Sequence, residues 1–130
     1  MRKTHLRSTI LATALIVIAA LTAHAQQLPI LPDEHIVAIV QVDFRPSNVG
    51  PADVMKAYVA QAAHDPNILH IELLQSVTLN NHYTIVCLYK NLAAYQAHAA
   101  EDYVVKYRRT IDPTLGASYD ERLYREAPTK

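Results

Sequence analysis

Cysteine and glycine are almost missing from this chain, and each shortage excludes something. Cys87 is the only cysteine, so no disulfide can form within the chain. Stability has to come from the hydrophobic core, a metal or a partner chain. Gly50 and Gly116 are the only glycines, so there is no glycine-rich loop to wrap a phosphate. An excess of positive charge is missing as well, since twelve Lys and Arg residues face twelve Asp and Glu residues. Without a basic stripe, nucleic acid is not an expected partner. Closely spaced histidines are also absent beyond the N-terminal segment. His35, His64, His70, His82 and His98 contain no His-x-His or His-x-x-x-His pair, so a zinc or iron site would need ligands from distant segments. No metal and no cofactor are expected. The chain shows no internal repeat and no low-complexity stretch.

The N-terminus carries the layout of a secretion signal. Arg2, Lys3 and Arg7 precede an almost wholly apolar run from Ile10 to Leu21, and Ala23-His24-Ala25 supplies small residues at the cleavage positions. The run is shorter than the roughly 20 residues that a membrane-crossing helix needs. Cleavage after Ala25 is therefore expected, with no stable membrane anchor afterwards and a periplasmic or secreted product. Arg2-Lys3 is not a twin-arginine pair, and no cysteine near the cleavage point marks a lipoprotein. The mature chain of 105 residues would then carry nine bases against twelve acids. That length suits one domain.

Residues 26–34, with Pro29 and Pro32, read as an extended leader, and residues 35–125 as the domain. His35 to Phe44 is a strand apolar on both parities, which signals burial on both faces. Pro51 suits the first position of a helix, and Val54, Met55, Tyr58, Val59 and Ala62 continue it at helical spacing as far as His64. Asp65-Pro66-Asn67 ends that helix, because the residue before proline is driven out of the α region. Ile68 to Val77 and His82 to Lys90 are two further strands, and Asn80-Asn81 is the hairpin signal between them. Asn91 is the N-cap of a helix from Leu92 to about Thr110, with a break near Glu101-Asp102. Ala117 to Arg125 forms a last strand, and residues 126–130 a tail.

The order β-α-β-β-α-β is that of a ferredoxin-like α+β domain, a four-stranded antiparallel sheet with its helices on one face. That layout leaves the other face uncovered. Yet the first strand sets Val37 and Ile39 against Ile36, Ala38 and Val40, and the third sets Ile85 and Cys87 against Val86 and Leu88. An apolar patch of this size is unusual on a soluble monomer. A second copy of the sheet is the simplest cover, so a homodimer is expected.

From Tyr83 to His98 the sequence YTIVCLYKNLAAYQAH resembles the central signature of the antibiotic biosynthesis monooxygenase family. There, a strand ending in acid-x-Trp runs into an alanine-rich helix that carries a histidine. His98 falls at that histidine, and Tyr103 where an aromatic often follows. The likeness covers about Ile36 to Tyr124 and implies a dimeric α/β barrel. It also implies a cofactor-independent oxidation of quinols or polycyclic phenols by dioxygen. This sequence departs from the pattern at several points. Cys87 replaces the acid, Tyr89 replaces the tryptophan, and His64-Asp65-Pro66-Asn67 replaces a Glu-Pro-Gly turn. The heme-degrading branch uses an asparagine in the first strand, where this chain has Gln41 and no asparagine. A non-catalytic ligand-binding or stress-related dimer is the competing expectation, with heme binding behind it.

Chemistry of that kind needs a dry pocket, a group to take the phenolic proton, and donors to hold the anion. Imidazole changes charge near neutral pH, which makes His98 the leading catalytic candidate. Tyr89, at the position of the family's tryptophan, is the second. Tyr95 and Tyr103 lie eight apart, about one helical face with Leu92 and Ala99, and are candidate substrate contacts. His70 is a third, sharing a strand face with Glu72 and facing His82 across the turn. Cys87, flanked by Val86 and Leu88, is expected to be a buried, inert thiol.

Overall fold

The computed structural model describes residues 33–46 and 51–127. The expected signal peptide and nearly all of the leader lie outside these residues, and so do residues 47–50 and the last three residues. Four strands and three helices follow in the order β1 (Ile36–Asp43), α1 (Pro51–Ala62), β2 (Ile68–Gln75), β3 (His82–Tyr89), α2 (Leu92–Ala99), α3 (Asp102–Ile111) and β4 (Asp120–Tyr124). The strands form one antiparallel sheet in the order β2-β3-β1-β4. This is the ferredoxin-like α+β arrangement.

Strand parity decides which side chains meet the helices. Ile36, Ala38, Val40 and Val42 of β1 are buried, and so are their cross-strand partners Tyr89, Cys87, Ile85 and Tyr83 of β3. The helices add Met55 from α1, and Val104, Tyr107 and Ile111 from α3. Residues 104, 107 and 111 recur at helical spacing, so α3 presents one narrow apolar stripe to the sheet. On the other parity, Val37, Ile39, Val86 and Leu88 are half-buried, with Leu74 and Tyr124 exposed beside them.

The break expected near Glu101-Asp102 is present and divides the long second helix into two, whereas the β2–β3 hairpin and the start of β4 differ from the sequence reading. Ala100 closes α2 through Ala97 O, and Glu101 turns extended (φ −63°, ψ 139°) before α3 begins. Asn91 does cap α2, its side chain accepting the Ala94 N–H at 2.9 Å. The hairpin between β2 and β3 is a longer loop, whose Ser76 hydroxyl accepts the N–H groups of Thr78 and Leu79. No residue in it takes a positive φ, so the left-handed tolerance of asparagine is not used. Finally, β4 starts at Asp120. Leu115 instead bridges Phe44, and the Gly116 N–H donates to Asp43 O at 2.7 Å, which ties the segment after α3 to the end of β1.

Candidate functional site

The turn that ends α1 builds the first half of the site. Asp65 precedes proline, leaves the helix, and its Oδ1 accepts the Asn67 N–H at 2.8 Å. This fixes the carboxylate and aims Oδ2 inward, at the last turn of α2. There the Nδ1 of His98 lies 2.8 Å from Asp65 Oδ2, with side-chain exposures of 3% and 5%. Tyr103, at the start of α3, donates its hydroxyl to the same oxygen at 3.2 Å. The other imidazole nitrogen, Nε2, is 2.9 Å from the Tyr58 hydroxyl on α1.

The network constrains the protons. A carboxylate only accepts, so Nδ1 of His98 carries a hydrogen and donates it to Asp65. With its hydrogen on Nδ1, the neutral form of the ring presents Nε2 as the acceptor for the Tyr58 hydroxyl. Burial works to raise the Asp65 pKa. The hydrogen bonds from His98, Asn67 and Tyr103 outweigh it and hold the carboxyl below its ordinary value. Burial drives the Tyr58 hydroxyl strongly upward, so the phenol keeps its proton. The result is a chain Asp65–His98–Tyr58, in which both nitrogens of the imidazole are engaged. Neither is open to a metal or a heme iron.

Tyr58 leads outward from this chain. Its ring stacks on Tyr107 with centroids 4.0 Å apart and planes 8° from parallel. Tyr58, Tyr103 and Tyr107 line a solvent-open cavity of about 330 Å³ between α1 and α3, together with Val54, Gln61 and Lys106. The wall residues come from one stripe of each helix, at positions i, i+3, i+4 and i+7. Nearby, Arg108 binds Glu121 at 2.5 Å and lies over the Tyr119 ring. The Tyr107 hydroxyl and Arg108 Nε are buried without a hydrogen-bond partner, an arrangement that costs free energy unless an acceptor arrives.

The structure brings together only some of the residues expected from the sequence. His98 and Tyr103 meet directly. Tyr89 is buried with its ring 5.4 Å from the His98 ring, a wall behind the histidine. Tyr95 packs edge-on against Tyr89 at 5.4 Å. Tyr95 and Tyr103 do not share a helical face, because the break at Ala100-Glu101 puts them on different helices. His70 does not join the group. It is exposed on the helix-free side of β2, 3.9 Å from Glu72, while His82 pairs with Asp43 instead. Cys87 is buried, with its thiol pushed up to about 11, chiefly by burial. Sequence reasoning missed Tyr58, taken as helix packing, and Asp65, taken as a helix stop. The available signal was an acid kept where the resembling family has its Glu-Pro-Gly turn.

No protein-family profile and no curated relative match the chain by sequence. Solved structures do match it. An antibiotic biosynthesis monooxygenase of Caulobacter crescentus superposes with a TM-score of 0.67 at 19% identity, covering 74% of this chain and 92% of that one. One of Nitrosomonas europaea gives 0.68 at 15% identity, over 74% and 93%. The chain has the fold of the antibiotic biosynthesis monooxygenases. SnoaB of Streptomyces nogalater, a cofactor-independent oxygenase, gives 0.64 at 12% identity, covering 74% of this chain and 96% of that one.

Proposed function

We propose that this protein is a cofactor-independent monooxygenase that oxidises a small quinol-like phenol with dioxygen. One observation carries the reading, the buried Asp65–His98–Tyr58 chain that reaches the cavity between α1 and α3. A phenol bound there donates its proton to the Tyr58 oxygen as Tyr58 passes its own to Nε2 of His98. Asp65 then faces the imidazolium that forms. Lys106 at the wall favours the phenolate left behind. That electron-rich anion reduces dioxygen. At a ring carbon that bears two hydrogens in the keto form, one oxygen atom becomes a carbonyl and the other leaves with those hydrogens as water. A volume of about 330 Å³ lies at the low end of the range for ligand sites, roughly 300–1,000 Å³. It suits one or two fused rings better than an extended polycycle.

The protein acts as a homodimer joined across the helix-free sheet face. The support is the apolar set Val37, Ile39, Leu74, Val86, Leu88 and Tyr124, which no element of the described chain covers. It is exported through the signal at residues 1–25, with Gln26 as the mature N-terminus, and an intact-mass measurement on exported material tests this.

Oxygen uptake with a panel of one- and two-ring quinols tests the chemistry. His98→Ala and Tyr58→Phe are each expected to lower turnover by about 10²–10⁴-fold, the usual share of positioned proton transfer. Unchanged turnover in both variants, with the fold intact, would leave a non-catalytic binding protein as the better reading.

A further inference from the structure

The contacts around Tyr58 also give it a capacity that needs no phenolic substrate. Removing one electron from a tyrosine near neutral pH is easy only if the phenolic proton leaves at the same time. That requires a base already in hydrogen-bond contact with the hydroxyl, because no proton acceptor has time to diffuse in. The eight tyrosines of the chain differ sharply in this respect. The Tyr58 hydroxyl lies 2.9 Å from Nε2 of His98, the nitrogen that accepts in the neutral ring with its hydrogen on Nδ1. Tyr103 donates to the Asp65 carboxylate, a much weaker base than imidazole, and the His98 nitrogen 3.2 Å from its hydroxyl is Nδ1, which already carries a hydrogen toward Asp65. Tyr83 accepts from the Gln75 amide. The Tyr107 hydroxyl is buried with no partner.

We propose that Tyr58 is a redox-active tyrosine, oxidised by one electron with His98 as its built-in proton acceptor. The oxidant class is an organic peroxyl radical arriving through the cavity that Tyr58 lines. The Tyr58 O–H bond breaks, a bond from that proton to His98 Nε2 forms, and the electron goes to the peroxyl radical. The peroxyl radical becomes a peroxide anion, which takes a proton from water to give the hydroperoxide. The products are a neutral tyrosyl radical and an imidazolium held by the Asp65 carboxylate. Tyr107, stacked at 4.0 Å, lets the unpaired electron spread by ring overlap. It lacks a base of its own, so the radical settles on Tyr58. Burial, which keeps the Tyr58 proton in place, makes loss of the electron and loss of the proton a single event. The proposal stands independently of the monooxygenase reading, since it concerns the protein alone.

Flash photolysis of the intact protein with a ruthenium tris-bipyridine sensitiser and a sacrificial acceptor tests it without any substrate. The expected result is a long-lived neutral tyrosyl radical, seen by absorbance and electron paramagnetic resonance, with formation slowed in deuterated water. Tyr58→Phe should abolish the long-lived signal. His98→Gln should shorten its lifetime and remove the isotope effect, while Tyr83→Phe, which loses only the hydrogen bond from the Gln75 amide, should leave it unchanged. Circular dichroism establishes that each variant is folded. A long-lived signal that survives Tyr58→Phe, or a wild-type radical that decays like that of free tyrosine, would overturn the assignment.

Discussion

At Asp65 the stability of the protein is tied to pH. Its carboxyl is held below its ordinary value in the folded chain, so the unfolded state binds protons first as the pH falls. The stabilisation is complete above the ordinary carboxylate range, near pH ~4, and is lost as the pH drops through the lower folded value. The melting temperature of Asp65→Asn should therefore sit below that of the wild type at pH 7, and the gap should narrow in acid. A gap that does not change with pH would contradict the assignment of Asp65 as the charged partner. Cys87 allows a second test at this scale. With its thiol raised to about 11, little thiolate exists at pH 8, and burial blocks approach. Iodoacetamide should alkylate the folded protein far more slowly than the urea-unfolded chain, as read by mass spectrometry.

The elements were legible wherever local pattern dictates them. Two-sided apolar runs marked β1 and β3, and Pro51 and the Asp65-Pro66 pair bounded α1 to within two residues of the observed end. Asn91 identified the start of α2. Its side-chain bond to the Ala94 N–H contributes about 1 kcal/mol, the usual value of an N-cap. Asn91→Ala should lower the melting temperature by roughly 4–8 °C, the change expected for that energy in a domain this small. The break at Ala100-Glu101 was placed to within a residue, but its consequence was not foreseen. A helix continuous over Leu92–Thr110 would carry Tyr95 and Tyr103 along one face. The extended Glu101 rotates α3 instead, sending Tyr103 to Asp65 and leaving Tyr95 against Tyr89.

For the whole molecule, the two parities of the sheet make a paired prediction. Ile39 is half-buried on the helix-free face, whereas Ile85 is 2% exposed beneath the helices. Ile39→Asp should give a folded monomer, and Ile85→Asp should unfold the chain, because an unpaired charge in the core costs several kcal/mol. Light scattering and circular dichroism on the two variants separate these outcomes. A dimeric Ile39→Asp would refute joining through that face. The sequence by itself determined the element order and the two apolar faces of the sheet, because alternation and helical spacing are local properties. It also singled out His98. Only the tertiary structure decided which parity meets the helices and which residues complete the site. Asp65 and Tyr58 lie 33 and 40 positions from His98, and each reads locally as a helix stop or a packing residue. Their chemistry exists only once α1 and α2 pack on the same side of the sheet and bring three side chains from separate segments within hydrogen-bond reach.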